Sequence, residues 1–141
     1  MLLWLLSSGC AVHSYKAQTR IPAWMAGSFT DDYGIGYTIT DSTFVQASIS
    51  TYHILEVNEK EQYILVQNDQ HNPSDKNLFT RIDYMQFSGM EPYTWGFCLT
   101  VFNAPDSLSA RNALPADRST PMNGCNGFPF SRMKKSTESS P

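Results

Sequence analysis

Between Trp24 and Phe102 the chain breaks into short runs of alternating apolar and polar residues, with turn-forming residues set so closely between them that each run reaches only its neighbours. Trp24–Thr30 is stopped by Asp31-Asp32-Tyr33-Gly34, a tight-turn composition. Runs at Gly36–Thr40, Thr43–Ser50 and Tyr52–Val57 follow, and Asn58-Glu59-Lys60 turns the chain into Glu61–Gln67. There Ile64 and Val66 share one face, Tyr63 and Leu65 the other. Asn68–Asn77 reads as a loop, and Leu78–Phe87 and Pro92–Phe102 are the longest strands, parted by Ser88-Gly89-Met90-Glu91. These seven runs are mostly joined by two to four residues. That leaves no room for parallel crossovers, so they pair in sequence as an antiparallel meander.

A meander ends in two unpaired edges, and closing on itself is how a small all-β domain removes them. The expected fold is all-β, an antiparallel meander closed into a seven- or eight-stranded barrel within a domain over residues 23–130. One short C-terminal helix is predicted over Ser107–Leu114, with Asn103 as N-cap, Pro105 in the first turn, Asp106 at the positive dipole end and Pro115 as the stop. Asn123–Phe130 then returns to the body with Phe128 and Phe130 as apolar plugs. Residues 131–141 are polar and aperiodic and are expected to form a mobile, disordered tail.

Strand alternation in Pro92–Phe102 puts Tyr93, Trp95, Phe97, Leu99 and Val101 on one face and Thr94, Gly96, Cys98 and Thr100 on the other. The aromatic face belongs inside, which turns Cys98 outward, where the returning segment could bring Cys125 to it. The expected Cys98–Cys125 disulfide spans 27 positions. Constraining the unfolded chain over such a loop stabilises by about 3 kcal/mol, before any native-state strain. The alternative is two free thiols, one buried and one in the Gly-flanked Asn123–Gly127.

The third cysteine, Cys10, closes an apolar run that ends on Ser7-Ser8-Gly9. The run is shorter than the roughly 20 apolar residues of a membrane-spanning helix. It has the makeup of the end of a secretory signal with a small-residue cleavage site. No Lys or Arg precedes Lys16, so the basic segment and the true start are expected upstream. Ser7-Ser8-Gly9-Cys10 resembles the bacterial lipobox, with Ser7 where Leu is usual, and the resemblance implies that Cys10 is acylated and anchors the protein to a membrane. Ala11 resembles the residue that follows the cysteine in lipoproteins sorted to the outer membrane of a Gram-negative envelope. Residues 11–22, ending in Ile21-Pro22, read as a tether. An exported chain favours the disulfide.

Without leader and tail, about 110 residues remain for one domain with a single modest core. A net charge of −3 with no basic stripe argues against nucleic-acid binding. With 13 % aromatic and only 16 % charged residues, the chain is folded and β-prone rather than disordered. Asp31 and Asp32 would point to opposite faces of an extended segment, so they read as turn residues and not as paired catalytic carboxylates. His13 lies in the tether, and His53 shares a strand face with Leu55 and Val57 and reads as a partly buried core histidine. His71 sits among oxygen ligands that match no calcium-loop spacing. No histidine or cysteine pair has metal-ligand spacing, and neither a nucleophile elbow nor a phosphate-binding loop is present. No catalytic residue, cofactor or metal is expected, and no enzymatic activity.

Trp24, Phe29, Tyr37, Phe44, Tyr52, Tyr63, Trp95 and Phe97 are more large rings than the simplest narrow core needs. A barrel of about eight strands holds side chains or one small ligand. Either the rings fill the interior, or some line a pocket. The candidate ligand-binding residues are Trp24, Phe29, Tyr37, Tyr52, Tyr63, Trp95 and Phe97. Gly27-Ser28-Phe29 resembles the Gly-x-Trp of the calycins, the lipocalin and fatty-acid-binding-protein group, with Phe in place of Trp, and the meander followed by one helix resembles their layout. The resemblance implies a lipocalin-like barrel. Asp31–Gly34 and Gly124–Phe130 also resemble stretches of small bacterial exported proteins, which brings no activity with it. The expected function is a membrane-anchored, non-enzymatic envelope lipoprotein that binds a small apolar ligand. The alternative is a structural or protein-interaction lipoprotein with a filled core.

Overall fold

The computed structural model describes Gly9 and residues 17–137, so Cys10 and His13 lie outside the described residues. Eight antiparallel strands, each bonded to the next and the last to the first, form a closed barrel. They are β1 Gly27–Asp31, β2 Gly36–Ile39, β3 Thr43–Gln46, β4 Ser50–Asn58, β5 Tyr63–Asn68, β6 Phe79–Gln86, β7 Trp95–Ala104 and β8 Ser131–Lys135. The all-β barrel with one short helix read from the sequence is the fold observed.

The eighth strand corrects the expectation of a disordered tail from residue 131. Ser131–Phe97 and Met133–Trp95 pairs join β8 to β7, and Lys135–Phe29 and Met133–Asp31 pairs join it to β1. Met133 alone is fully buried, which is why so polar a segment can still be a strand. Its backbone closes both edges at once, and that need does not show in side-chain hydrophobicity.

Inside the barrel, Phe29, Ile39, Ile64, Ile82, Trp95 and Met133 are at most 1 % exposed and form one packed cluster. One end is shut by the segment leading into β1. Ala23–Met25 forms a 3₁₀ turn, where a strand was expected to begin, and Met25 is fully buried. Trp24 meets Tyr84 and Trp95 edge-to-face, with centroids 5.8 and 5.7 Å apart. The backbone N–H of Ile21 donates to Asp41 Oδ1 (2.9 Å), and that of Val57 donates to the Gln18 carbonyl. Residues 17–22 are therefore not a free tether, because an open barrel end has to be covered and Ile21 is buried in doing so.

Three register shifts, one between β4 and β5 and two between β6 and β7, break the strict alternation expected from the sequence. The irregularity between Ile54 and Glu56 in β4 lets both Ile54 and Val57 face inward, while Glu56 turns to a covered outer surface. His53 is exposed and on the outside, not a core histidine. In β7 the shift opposite Arg81 and Ile82 sends Val101 to the outer cluster of Tyr63, Leu65, Ala104 and Ala110, whereas Trp95, Phe97 and Leu99 stay inside. Tyr93 precedes the strand and lies beneath the Arg132 guanidinium, 4.6 Å from its ring centre.

The outer face of β5 and β6 is buried too, under the helix α1 Ser107–Arg111 and the segment that follows it. Asp106, not Asn103, caps the helix, accepting from the Ser109 N–H (2.7 Å), and Asn103 belongs to β7. The helix ends at Arg111, before the expected Leu114, which is 87 % exposed. Beneath this cover Arg111 pairs with Glu56 (2.7 Å) and Arg81 with Asp83 (3.1 Å). Cys98 and Cys125 are bonded, with Cα atoms 5.6 Å apart, and Phe130 is buried beside them. Phe128 is 72 % exposed and plugs nothing. Gly124 is required here, since a Cβ would lie 1.8 Å from the Asp117 carbonyl oxygen.

Candidate functional site

The barrel end opposite the plug is open. It is ringed by the β1–β2 and β3–β4 turns, the β5–β6 loop and the far end of β7. Four interior rings meet there edge-to-face, with centroid distances of 5.8 Å for Tyr37–Phe44, 5.5 Å for Tyr37–Phe97, 5.3 Å for Phe44–Phe97 and 6.4 Å for Phe44–Tyr52. With Gln46, Leu99, Phe102 and Ser131 they line a cavity of about 280 Å³. Past Tyr52, Leu99 and Phe102 the cavity continues into a polar recess of about 210 Å³, edged by Ser50, Asn68, Asn72, Ser74 and Asp75.

The polar groups of this mouth are mostly committed. Asp31 Oδ1 accepts from the N–H groups of Tyr33 and Ile35, and Asp31 Oδ2 accepts from the Tyr37 hydroxyl, all at 2.9 Å. Having given its one proton to Asp31, the Tyr37 oxygen accepts from Gln46 Nε2 (3.2 Å). That fixes the amide's orientation and leaves Gln46 Oε1 as an acceptor at the cavity. Burial, with the Asp31 hydrogen bond and charge, pushes the Tyr37 phenol well above its ordinary range. Asn68 spends its amide on the carbonyls of Asp75 (2.8 Å) and Phe102 (2.9 Å) and its oxygen on Thr80 (2.6 Å). Asn72 brackets the Thr51 backbone through both ends of its amide. These asparagines shape the loop and have little left for a ligand.

Of the seven residues the sequence singled out, Tyr37, Tyr52 and Phe97 line the mouth. Phe29 and Trp95 are fully buried in the packed half, and Trp24 belongs to the plug. Tyr63 is on the outer face, with Arg81 stacked 4.2 Å from its ring centre and its hydroxyl donating to Glu56 Oε1 (3.4 Å). The sequence reading missed Gln46, Asp75 and Phe102 as mouth residues. Phe44, one of the surplus aromatic residues but not among those seven, also lines the mouth.

Elsewhere Asp32 bonds the backbone and side chain of Arg132, both at 3.1 Å, so the two adjacent carboxylates serve separate partners. Asp69 accepts from His53 (2.7 Å) and His71 (3.0 Å), and these bonds hold its carboxyl at about 2. Among the described residues no three His, Cys, Asp or Glu side chains gather as a metal site, and no helix is long and apolar enough to cross a membrane. Comparison with protein-family models, with curated proteins and with solved structures yields no match. A barrel of this kind hosts many unrelated functions, so what this protein does depends on the side chains at its mouth.

Proposed function

We propose that this protein is a non-enzymatic, lipocalin-like binding protein of the cell envelope, membrane-anchored through Cys10, which takes a small and largely apolar ligand at the open barrel mouth. The observation that carries the reading is the asymmetry of the interior. One half is packed solid around Trp95 and plugged by Met25, while the other opens as a ring-lined cavity of about 280 Å³. Such a volume suits a one- or two-ring ligand and sits near the small end of known sites. At the mouth, Asp31 is engaged by its turn and by the Tyr37 hydroxyl, and the one carboxylate in the lining, Asp75, has no Lys, Arg or His beside it there, which supports binding over acid–base catalysis.

A neutral naphthalene-based fluorescent probe titrated into the protein should show saturable, one-to-one binding. Phe102 is 48 % exposed, so Phe102→Ala should weaken that binding about fivefold to tenfold with little change in melting temperature. Absence of saturable binding would hand the function to the alternative, a filled-core interaction lipoprotein, which the packed half of the barrel favours. The anchor is tested separately. Expressed with its genuine upstream start, the protein should fractionate with membranes and Cys10→Ser should release it. An unmodified soluble wild type would refute the lipoprotein assignment.

A further inference from the structure

The charge around the mouth narrows the ligand's chemistry further, on the reading that the mouth is the ligand site. Between the apolar cavity and its polar recess, Asp75 is the one acidic residue in the lining, and no Lys, Arg or His lines either. The Asp75 carboxylate has no hydrogen bond or ion pair among the described residues. The structural duty of Asp75 falls on its backbone, whose carbonyl accepts from Asn68 Nδ2 (2.8 Å) and from the Leu78 N–H (3.2 Å). The other unspent group, Gln46 Oε1, is also an acceptor. Lys76 adjoins Asp75 in the chain but is exposed and outside the lining, and His71 is held by Asp69. The Tyr52 phenol is raised above its ordinary value, chiefly by burial and in part by the Asp75 charge, so it stays neutral and Asp75 acts on it.

An anion would meet this carboxylate without compensation, and a purely apolar molecule would gain nothing from it. A cation gains twice. Aromatic faces attract it electrostatically, most strongly when it is partly desolvated, and the carboxylate supplies the opposite charge. We propose that the mouth is a site for a small organic cation, an ammonium-bearing molecule held between the Tyr37–Phe44–Tyr52–Phe97 cluster and the Asp75 carboxylate.

The probes are choline and its neutral carbon isostere 3,3-dimethylbutan-1-ol, titrated into the same protein by calorimetry or amide NMR. Choline should bind at least about tenfold more tightly than the isostere. Asp75→Asn should remove most of that preference and leave both the isostere's affinity and the melting temperature unchanged. Asn tolerates the left-handed backbone at this position, where φ is 52°. Equal affinity for the two probes, or choline binding indifferent to Asp75→Asn, would overturn the proposal. If the naphthalene probe binds and choline does not, the cation inference fails while the mouth remains a ligand site. If none of the three binds, the ligand-site reading fails with it.

Discussion

Asp83 is completely buried on the outer face of β6, and its two oxygens serve five donors. Arg81 Nε and Nη2 (3.1 Å each) and Arg118 Nη2 (3.2 Å) reach Oδ1, while the Thr100 hydroxyl and the Ala116 N–H (3.1 Å) reach Oδ2. Asp83→Ala would leave Arg81, whose side chain is only 5 % exposed, as a buried cation without its counter-charge. Removing one partner of a buried pair typically costs about 3–5 kcal/mol. Two features pull toward the lower half of that range. Arg81 keeps the Arg111 carbonyl (2.7 Å) and the Tyr63 face, and the Arg118 side chain, 24 % exposed, can turn to water. We expect a loss of about 3–4 kcal/mol, a large share of the roughly 5–15 kcal/mol a domain possesses. The melting temperature should fall by about 10–15 °C. Urea titration of wild type, Asp83→Ala and the double variant Arg81→Leu/Asp83→Leu measures this, and the double variant should recover at least half the loss. A cost for Asp83→Ala below about 1 kcal/mol, as for a surface ion pair, would refute the reasoning. So would a double variant no more stable than the single one.

Trp95→Ala should cost about 3–5 kcal/mol in the same assay, because the indole fills the packed half of the barrel. Tyr84 carries a buried hydroxyl with no partner among the described residues, and burial pushes its phenol up to about 12. Tyr84→Phe should therefore be neutral or stabilising by up to about 1 kcal/mol in thermal unfolding, since no hydrogen bond is lost. Reducing the Cys98–Cys125 bond should cost about 3 kcal/mol by releasing a loop constraint, with hydrogen exchange loosening residues 105–130 before the strands. The Asp69 carboxyl lies below its unfolded value of 3.8, at about 2, so its support for the fold is complete above about pH 4 and lost as pH falls through about 2. Carboxyl NMR titration should show that midpoint, and His53→Ala should move it upward.

Seven of the eight strands were legible because their hydrophobic alternation and turn residues point to the same boundaries, as at Asn58-Glu59-Lys60 between β4 and β5. The disulfide was legible because alternation in β7 turns Cys98 away from the Trp95 face. β8 was not, since a strand whose work is done by backbone bonds to two neighbours needs only one buried side chain, Met133. The bulges at Leu55 and near Val101 were equally hidden, because period-2 reasoning has no sign for an extra residue and every assignment beyond it inverts. For the site, Tyr37, Tyr52 and Phe97 were visible as surplus aromatic residues. Asp75 and Gln46 were not, because their relevance depends on which end of the barrel stays open and on which neighbouring amides and carboxylates are already occupied.

Pairing of β8 with β1 also sets an order of events for a chain made from its N-terminus. The bonds that complete the barrel join Phe29 to Lys135, so a growing polypeptide cannot finish the barrel until it has been made as far as Lys135. Until then β1 and β7 are bare edges, each a template for pairing with another copy. Late closure leaves the backbone groups on those two edges unpaired until Ser131–Lys135 has been made. It also means that a product cut before Ser131 is no smaller domain but an open sheet prone to self-association.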